Sequence, residues 1–256
     1  MHSEKKIIVE TLFNNWGKSH DRLTHHWIEY RINLFMKYTL RSLMLQSCQD
    51  FNCYVLFDPL SDSLIQEELS KHLPLPSNIR FVTPREYKEC INNDIRNYKY
   101  YYRTYLSSDD MYHKDFIRSL HEYSPKEDTV ALVPQYGYAY DSEQNRLGNF
   151  FFWLPGYGSI IVEVDKYLRG QAARYTWRDA LQVPREFMHV KQPIWINHIH
   201  GKNTGTTFDN ILRWRDKNVP DAFMMDPWDN GKKSRACFGP EITNPDDINA
   251  ILGNYF

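Results

Sequence analysis

Four short runs rich in β-branched and aromatic residues punctuate the first part of the chain: Lys6 to Phe13, Asn52 to Phe57, Asn78 to Val82 and Tyr100 to Leu106. The intervals between them carry helical signals. From Tyr30 to Gln46, residues Ile32, Phe35, Leu40, Leu43 and Met44 fall near one helix face, and Leu60 to His72 and Pro84 to Tyr98 also read as helices. Strands alternating with helices predict an α/β fold with a mostly parallel central sheet and helices on both faces. In such a sheet, ligands bind beyond the carboxyl ends of the strands. The fourth run ends at Ser107-Ser108-Asp109-Asp110, and Asp115 to His121 then resumes helical spacing.

The second half reads differently. Thr129 to Val133 is a strand, and Gln135 to Asp141 turns into a hairpin returning through Arg146 to Trp153. A glycine-rich loop, Leu154 to Ser159, precedes the strand Ile160 to Val162. Asp165 to Glu186 is expected to be mainly helical, and Trp195 to Gly201 is a short strand with two histidines. The hairpin predicts a small antiparallel addition to the sheet. The whole of 1–256 is expected to form one domain, since no repeat, linker or low-complexity segment divides it.

A net charge of -1 argues against a general nucleic-acid binder. Cys48, Cys53, Cys90 and Cys237 form no CxxC pair, which fits a reducing compartment. Met1 to Lys6 is polar, and the longest apolar run, Phe150 to Val162, is broken by Pro155, Gly156 and Gly158. The expectation is therefore a cytoplasmic protein without a transmembrane segment, with room for peripheral contact at the inner membrane face.

Asp109 and Asp110 are adjacent carboxylates that repel unless a partner offsets them. A hard divalent cation that also holds phosphate is one such partner; a helix N-cap is the plainer alternative.

The chain resembles the rhamnosyltransferase-type family of glycosyltransferases, which have the nucleotide-sugar GT-A fold. Four segments carry the resemblance: Arg31 to Phe35 with Thr39 to Ser47, Phe51 to Asp58, Leu106 to Ile117, and Trp195 to Asn203. The family's metal motif usually reads Asp-x-Asp-Asp, and here Ser107 stands at its first position. The resemblance implies a nucleotide-sugar-binding half at about 1–117 and an acceptor half with a tail at about 118–256. It also implies a metal-dependent hexosyl transfer from a nucleoside diphosphate sugar to a glycan, glycolipid or protein-linked acceptor. The word rhamnose belongs to the family; no residue here selects it.

On that resemblance, Asp109, with Asp110 beside it, would hold Mn2+ or Mg2+ against the leaving diphosphate. A late histidine would complete the metal site. His198 and His200 are read as pointing to opposite faces of their strand, with His200 favoured at the metal. Phe13, Asn14, Asn15, Asp58, Ser107 and Ser108 would line the nucleotide sugar, and Arg22, Arg31 and Lys202 would meet its phosphates. Trp153, Gly156, Tyr157 and Gly158 would face the acceptor, where aromatic rings stack on sugars. Glu163, Asp165 and Asp179 are the candidates for a general base. Asp109→Ala is expected to abolish transfer and leave folding nearly intact. The competing readings are a catalytically inactive GT-A-like carbohydrate-binding or scaffold protein and a metal-dependent hydrolase or nucleotidyltransferase.

Overall fold

The computed structural model describes residues 3–14, 20–152, 156–180, 182–188, 193–203, 207–209 and 238–256. The expected alternation is present. Strands β1 (Ser3–Leu12), β2 (Asn52–Leu56), β3 (Ile79–Val82) and β4 (Tyr98–Tyr105) are parallel to one another. Together with β6 (Ala131–Val133), β9 (Ser159–Glu163) and β10 (Arg185–Phe187) they make a seven-stranded sheet ordered β10-β6-β9-β4-β1-β2-β3. Only β9 runs against its neighbours. β4, which leads into Ser107, is the middle strand.

Both faces of this sheet are covered, which is why its strands read as near-continuous apolar runs. Ile7, Val9, Cys53 and Val55 enter one core cluster, and Ile8, Tyr54 and Leu56 enter another. The first cluster lies beneath α1 (His25–Leu34), α2 (Leu40–Met44), α3 (Asp62–Leu69) and α5 (Phe116–Glu122). The second includes Ile91 of α4 (Pro84–Asp94) and Val164 of α6 (Val164–Leu168). A capping box at Thr83 and Glu86 starts α4. Between α1 and α2 the chain makes a π-helical turn, Phe35–Thr39.

A second sheet of five strands, ordered β12-β8-β7-β11-β5, packs beyond the carboxyl end of the first. Its hairpin is β7 (Tyr136–Asp141) with β8 (Arg146–Phe151), as the sequence indicates. β11 (Trp195–Ile199) lies parallel to β7 and antiparallel to β5 (Met111–Tyr112), and β12 (Phe238–Ile242) pairs with β8. The C-terminal helix α7 (Pro245–Leu252) inserts Ile248 and Leu252 against Met111 and Ile196. Ser107 to Asp110 is thus the link between β4 of one sheet and β5 of the other.

One expectation fails here. Residues 165–186 are not mainly helical: α6 stops at Leu168, a single 3-10 turn spans Trp177–Asp179, and β10 begins at Arg185. Gly170 and Pro184 interrupt the segment, and most of 171–179 is exposed, so no apolar face holds a longer helix down.

Candidate functional site

The link Ser107 to Asp110 turns its two aspartates in different directions. Asp109 Oδ2 accepts from Arg31 Nη1 at 2.8 Å and from His200 Nε2 at 3.0 Å. Arg31 Nη2 donates to Ser108 Oγ at 2.5 Å. Arg31 comes from α1, and the Trp27 ring one turn earlier lies 5.7 Å from its guanidinium carbon. Burial alone would raise the Asp109 pKa, but the Arg31 charge and the hydrogen bonds from His200 and Arg31 hold it well below the usual carboxylate range.

Asp110 turns inward and is 3% exposed. Its Oδ1 accepts from the His198 backbone N–H at 2.8 Å, and its Oδ2 accepts from the Tyr157 hydroxyl at 2.9 Å. Thr39 Oγ1 donates to its carbonyl at 2.9 Å. Burial and the neighbouring Asp109 charge push the Asp110 pKa up. Asp110, expected beside the metal, is therefore an anchor that ties β11, Tyr157 and the π-helical turn to one point.

His198 and His200 do not point to opposite faces. Residues two apart on a strand share a face, and the two rings lie 5.4 Å apart. They differ in what they touch. His198 is fully buried, with Nδ1 3.0 Å from the Asp109 carbonyl and Nε2 2.8 Å from Ser142 Oγ. A carbonyl only accepts, so Nδ1 carries the proton and Nε2 accepts from Ser142. Burial, reinforced by His200, pushes the His198 pKa down to about 4 and keeps the ring neutral. His200, 4% exposed, donates from Nε2 to Asp109, while Tyr30 places its hydroxyl 2.8 Å from Nδ1 and 3.0 Å from the His200 carbonyl. Asn203 bonds the His200 N–H and the His198 carbonyl at 2.7 and 3.0 Å and so fixes the end of β11. The next residue after His200, Gly201, has φ +72° and lies against the Glu143 carboxylate.

This donor set does not fit a divalent cation as it stands. Asp109 Oδ2 already takes two N–H donors, with His200 presenting its Nε2 proton to it, so Oδ1 is the one carboxylate oxygen of Asp109 without a bond among the described residues. Both nitrogens of His198 and both carboxylate oxygens of Asp110 are engaged, and Ser107 supplies no charge. Among the described residues, no three His, Cys, Asp or Glu side chains are grouped so as to hold a metal. A divalent cation about 4 Å from the Arg31 guanidinium would meet a repulsion of about 8 kcal/mol at an effective dielectric constant of about 20.

A second polar knot sits at the carboxyl ends of β1 and β2. Arg22 Nη1 donates to Asp58 Oδ2 at 2.6 Å and to the Asn14 carbonyl at 3.1 Å. Asn14 bonds the Asp58 N–H, the Arg22 carbonyl and Ser61 Oγ. Asp58 also caps Leu60 at 3.0 Å. Arg22 is thus ion-paired with Asp58, as Arg31 is with Asp109. Phe13, 6% exposed, packs edge-on against Trp27 and Phe81 and is part of the floor. Asn15 lies outside the described residues.

Several expected site residues lie elsewhere. Glu163 pairs in register with Tyr100 on β4, six positions before Leu106. At about 3.3 Å per residue that is about 20 Å from the Asp109 end of the sheet. Glu163 and Asp165 instead line a cavity of about 350 Å³ with Glu4, Arg96, Tyr98 and Lys99. Neither can reach a sugar held at Asp109. Asp179 caps its own turn, its Oδ2 accepting from the Thr176 N–H at 2.7 Å and hydroxyl at 2.9 Å.

The proposed acceptor loop is also structural where it is described. The Tyr157 ring stacks on Trp195 at 4.5 Å, and the residue is 7% exposed. A Cβ on Gly158 would lie 2.6 Å from the Leu132 carbonyl, so glycine is needed there for two backbones to approach. Gly156 packs near Trp177. Trp153 lies outside the described residues. Lys202 is exposed, and its Nζ sits 4.2 Å above the Tyr30 ring. Tyr30, Ser142 and Glu143 were not expected at this site. Only the position of Tyr30 beside Arg31 on one helix offered a sequence signal.

Among the described residues, no helix is long and apolar enough to cross a membrane. Comparison with curated proteins finds no match. Among solved structures, residues 1–349 of S. aureus TarS in complex with UDP align with 10% identity and a TM-score of 0.43 over 77% of this chain and 60% of that one. The same protein with UDP-GlcNAc aligns with 9% identity and a TM-score of 0.44, over 78% and 60%. The 4-diphosphocytidyl-2C-methyl-D-erythritol synthase of Anaerococcus prevotii aligns with 11% identity and a TM-score of 0.33, over 77% and 88%. The chain thus spans less than two thirds of those TarS structures. The family model described as "putative rhamnosyl transferase" matches residues 17–206, a span that contains Arg31, Asp58, Asp109, His198 and His200. That span is about three quarters of the 256 residues, and the chain belongs to this family of sugar transferases.

Proposed function

We propose that the chain transfers a sugar from a nucleoside diphosphate donor to a hydroxyl of a glycan, glycolipid or protein-linked acceptor, with the donor held at the carboxyl ends of β1 and β4. The observation that carries this reading is the Arg31–Asp109–His200 cluster, set beside the central strand where an α/β sheet takes its ligands. In the reaction the acceptor oxygen bonds to the anomeric carbon, and the bond from that carbon to the diphosphate oxygen breaks. The electron pair leaves with the diphosphate, and the acceptor proton passes to a base. What the protein must supply is positive charge and fixed donors where the diphosphate gathers negative charge. Arg31 suits that task, because a guanidinium matches phosphate oxygens in pairs. Asp109 and Ser108 hold it in place, and His200 holds Asp109. The metal-assisted form expected from the resemblance would set the cation beside the Arg31–Asp109 pair, against the repulsion of the guanidinium.

The test is isothermal titration with UDP, GDP, CDP, ADP and dTDP, followed by detection of nucleoside diphosphate released from the matching nucleotide sugars. The expected result is binding of one base class and slow donor turnover, both lost in Asp109→Asn. Glycan binding with no nucleotide binding would favour the inactive carbohydrate-binding reading and refute this one.

A further inference from the structure

We infer that the Arg31 guanidinium is a built-in substitute for a divalent cation, so that the nucleoside diphosphate is captured without a metal. This rests on the proposed function and deepens it. The guanidinium already stands against the carboxylate that would hold a cation, 2.8 Å from Asp109 Oδ2. It is held on two sides, by Asp109 and by Ser108 Oγ at 2.5 Å. It carries five N–H donors, and those two bonds use two of them. Of the three left, Nε–H is buried with no acceptor among the described residues. An orphaned donor in a polar cluster asks for an acceptor that arrives with a ligand.

Charge supports the same conclusion. Lys202 is exposed and rests on Tyr30, the residue before Arg31 and the partner of His200. Arg31 and Lys202 bring two positive charges to this edge, as many as one divalent cation carries, set against the Asp109 and Glu143 carboxylates. A diphosphate arriving there meets cations carried by side chains that need no assembly. The Arg31 side chain is only 15% exposed, so it is already ordered and partly desolvated before the ligand comes.

The experiment compares the wild-type protein in excess EDTA with the same protein in MnCl2, using isothermal titration with UDP, GDP, CDP, ADP and dTDP. The nucleotide that binds is expected to do so with dissociation constants within about threefold of each other in the two buffers. Arg31→Gln should weaken it by about 30-fold or more, the loss of a charge-assisted phosphate contact, and Arg31→Lys should recover part of it. Cooperative melting of each variant confirms that it is folded. If Arg31→Gln does not fold, the wild-type comparison decides alone. Binding that appears only with Mn2+ overturns this inference and leaves the proposed function standing. Binding that Arg31→Gln leaves unchanged overturns it too. Absence of binding in both buffers overturns both.

Discussion

Asp109 is held tightly enough that its removal should be felt in stability. Its Oδ2 is the shared acceptor for Arg31 and His200, at 2.8 and 3.0 Å, with side-chain exposures of 15% and 4% for the two donors. Breaking a buried ion pair by deleting one partner costs about 3–5 kcal/mol, because the survivor is left charged and unpaired. Partial exposure of Arg31 places Asp109→Ala at the lower end, about 3 kcal/mol. Arg31→Met leaves Asp109 with His200 and should cost about 2 kcal/mol. The double variant strands neither charge, so its cost should fall about 2 kcal/mol short of the sum. Urea unfolding followed by tryptophan fluorescence measures all four proteins, with unchanged slopes as the check that only stability has moved. Asp109→Ala within about 0.5 kcal/mol of wild type, or additivity within that margin, would refute the caged-carboxylate reasoning and restore the expectation of a dispensable loop acid.

Further outcomes follow from other residues. His198 titrates at about 4 in the fold, lowered by burial and by His200, against about 6.5 unfolded. The unfolded chain therefore takes up its proton first, and the His198 contribution is complete above about pH 6.5 and falls by up to about 3 kcal/mol as pH drops toward 4. Asp110, whose raised pKa favours the fold as pH falls through the same range, opposes it. The difference in urea midpoints between wild type and His198→Asn isolates the His198 part, and it should change with pH across that range. Glu163→Gln and Asp165→Asn lie at the other edge of the sheet, so each should leave nucleotide affinity within about twofold of wild type by titration. A large loss in either would mean that the register of β9 on β4 is wrong. Gly201→Ala forces a side chain into φ +72° beside Glu143 and should cost about 1–2 kcal/mol in thermal unfolding. Unchanged melting would show that the turn has another conformation.

The central sheet was readable because it is buried on both faces. Ile7, Ile8 and Val9 all face a core, and runs of that kind have few alternatives. Ser107 to Asp110 was readable as a strand end for the same reason, since the polar break follows Tyr100 to Leu106 directly. What each aspartate does was not readable. Asp109 and Asp110 look alike in sequence, and only the meeting of β5 with β11 decides which is anchored inward. The opposite-face assignment of His198 and His200 failed on simple parity, because side chains alternate at every residue and two steps return to the same face. Glu163 failed for a topological reason. β9 is the one antiparallel strand of its sheet, so its end lies at the amino edge of β4, and no local pattern in Ser159 to Glu163 announces that direction. Tyr157 looked like a sugar platform and is a core residue, because its hydroxyl had a buried carboxylate to meet.

The π turn at Phe35–Thr39 sets the azimuth of the arginine. A turn of this kind holds one surplus residue relative to a continuous α-helix. Below it, Thr39, Ser42 and Gln46 are tied to the Asp110 carbonyl, the Tyr112 N–H and the His113 carbonyl. Above it, Trp27, Tyr30 and Arg31 face the Asp109 edge. Deleting one residue within the turn would restore the regular helix and swing everything above by about 100°. The lower ties would hold, while the guanidinium would leave the carboxylate. The direction of the protein's principal fixed cation is thus written as a count of residues in a helix, and a single deletion could separate folding from phosphate capture.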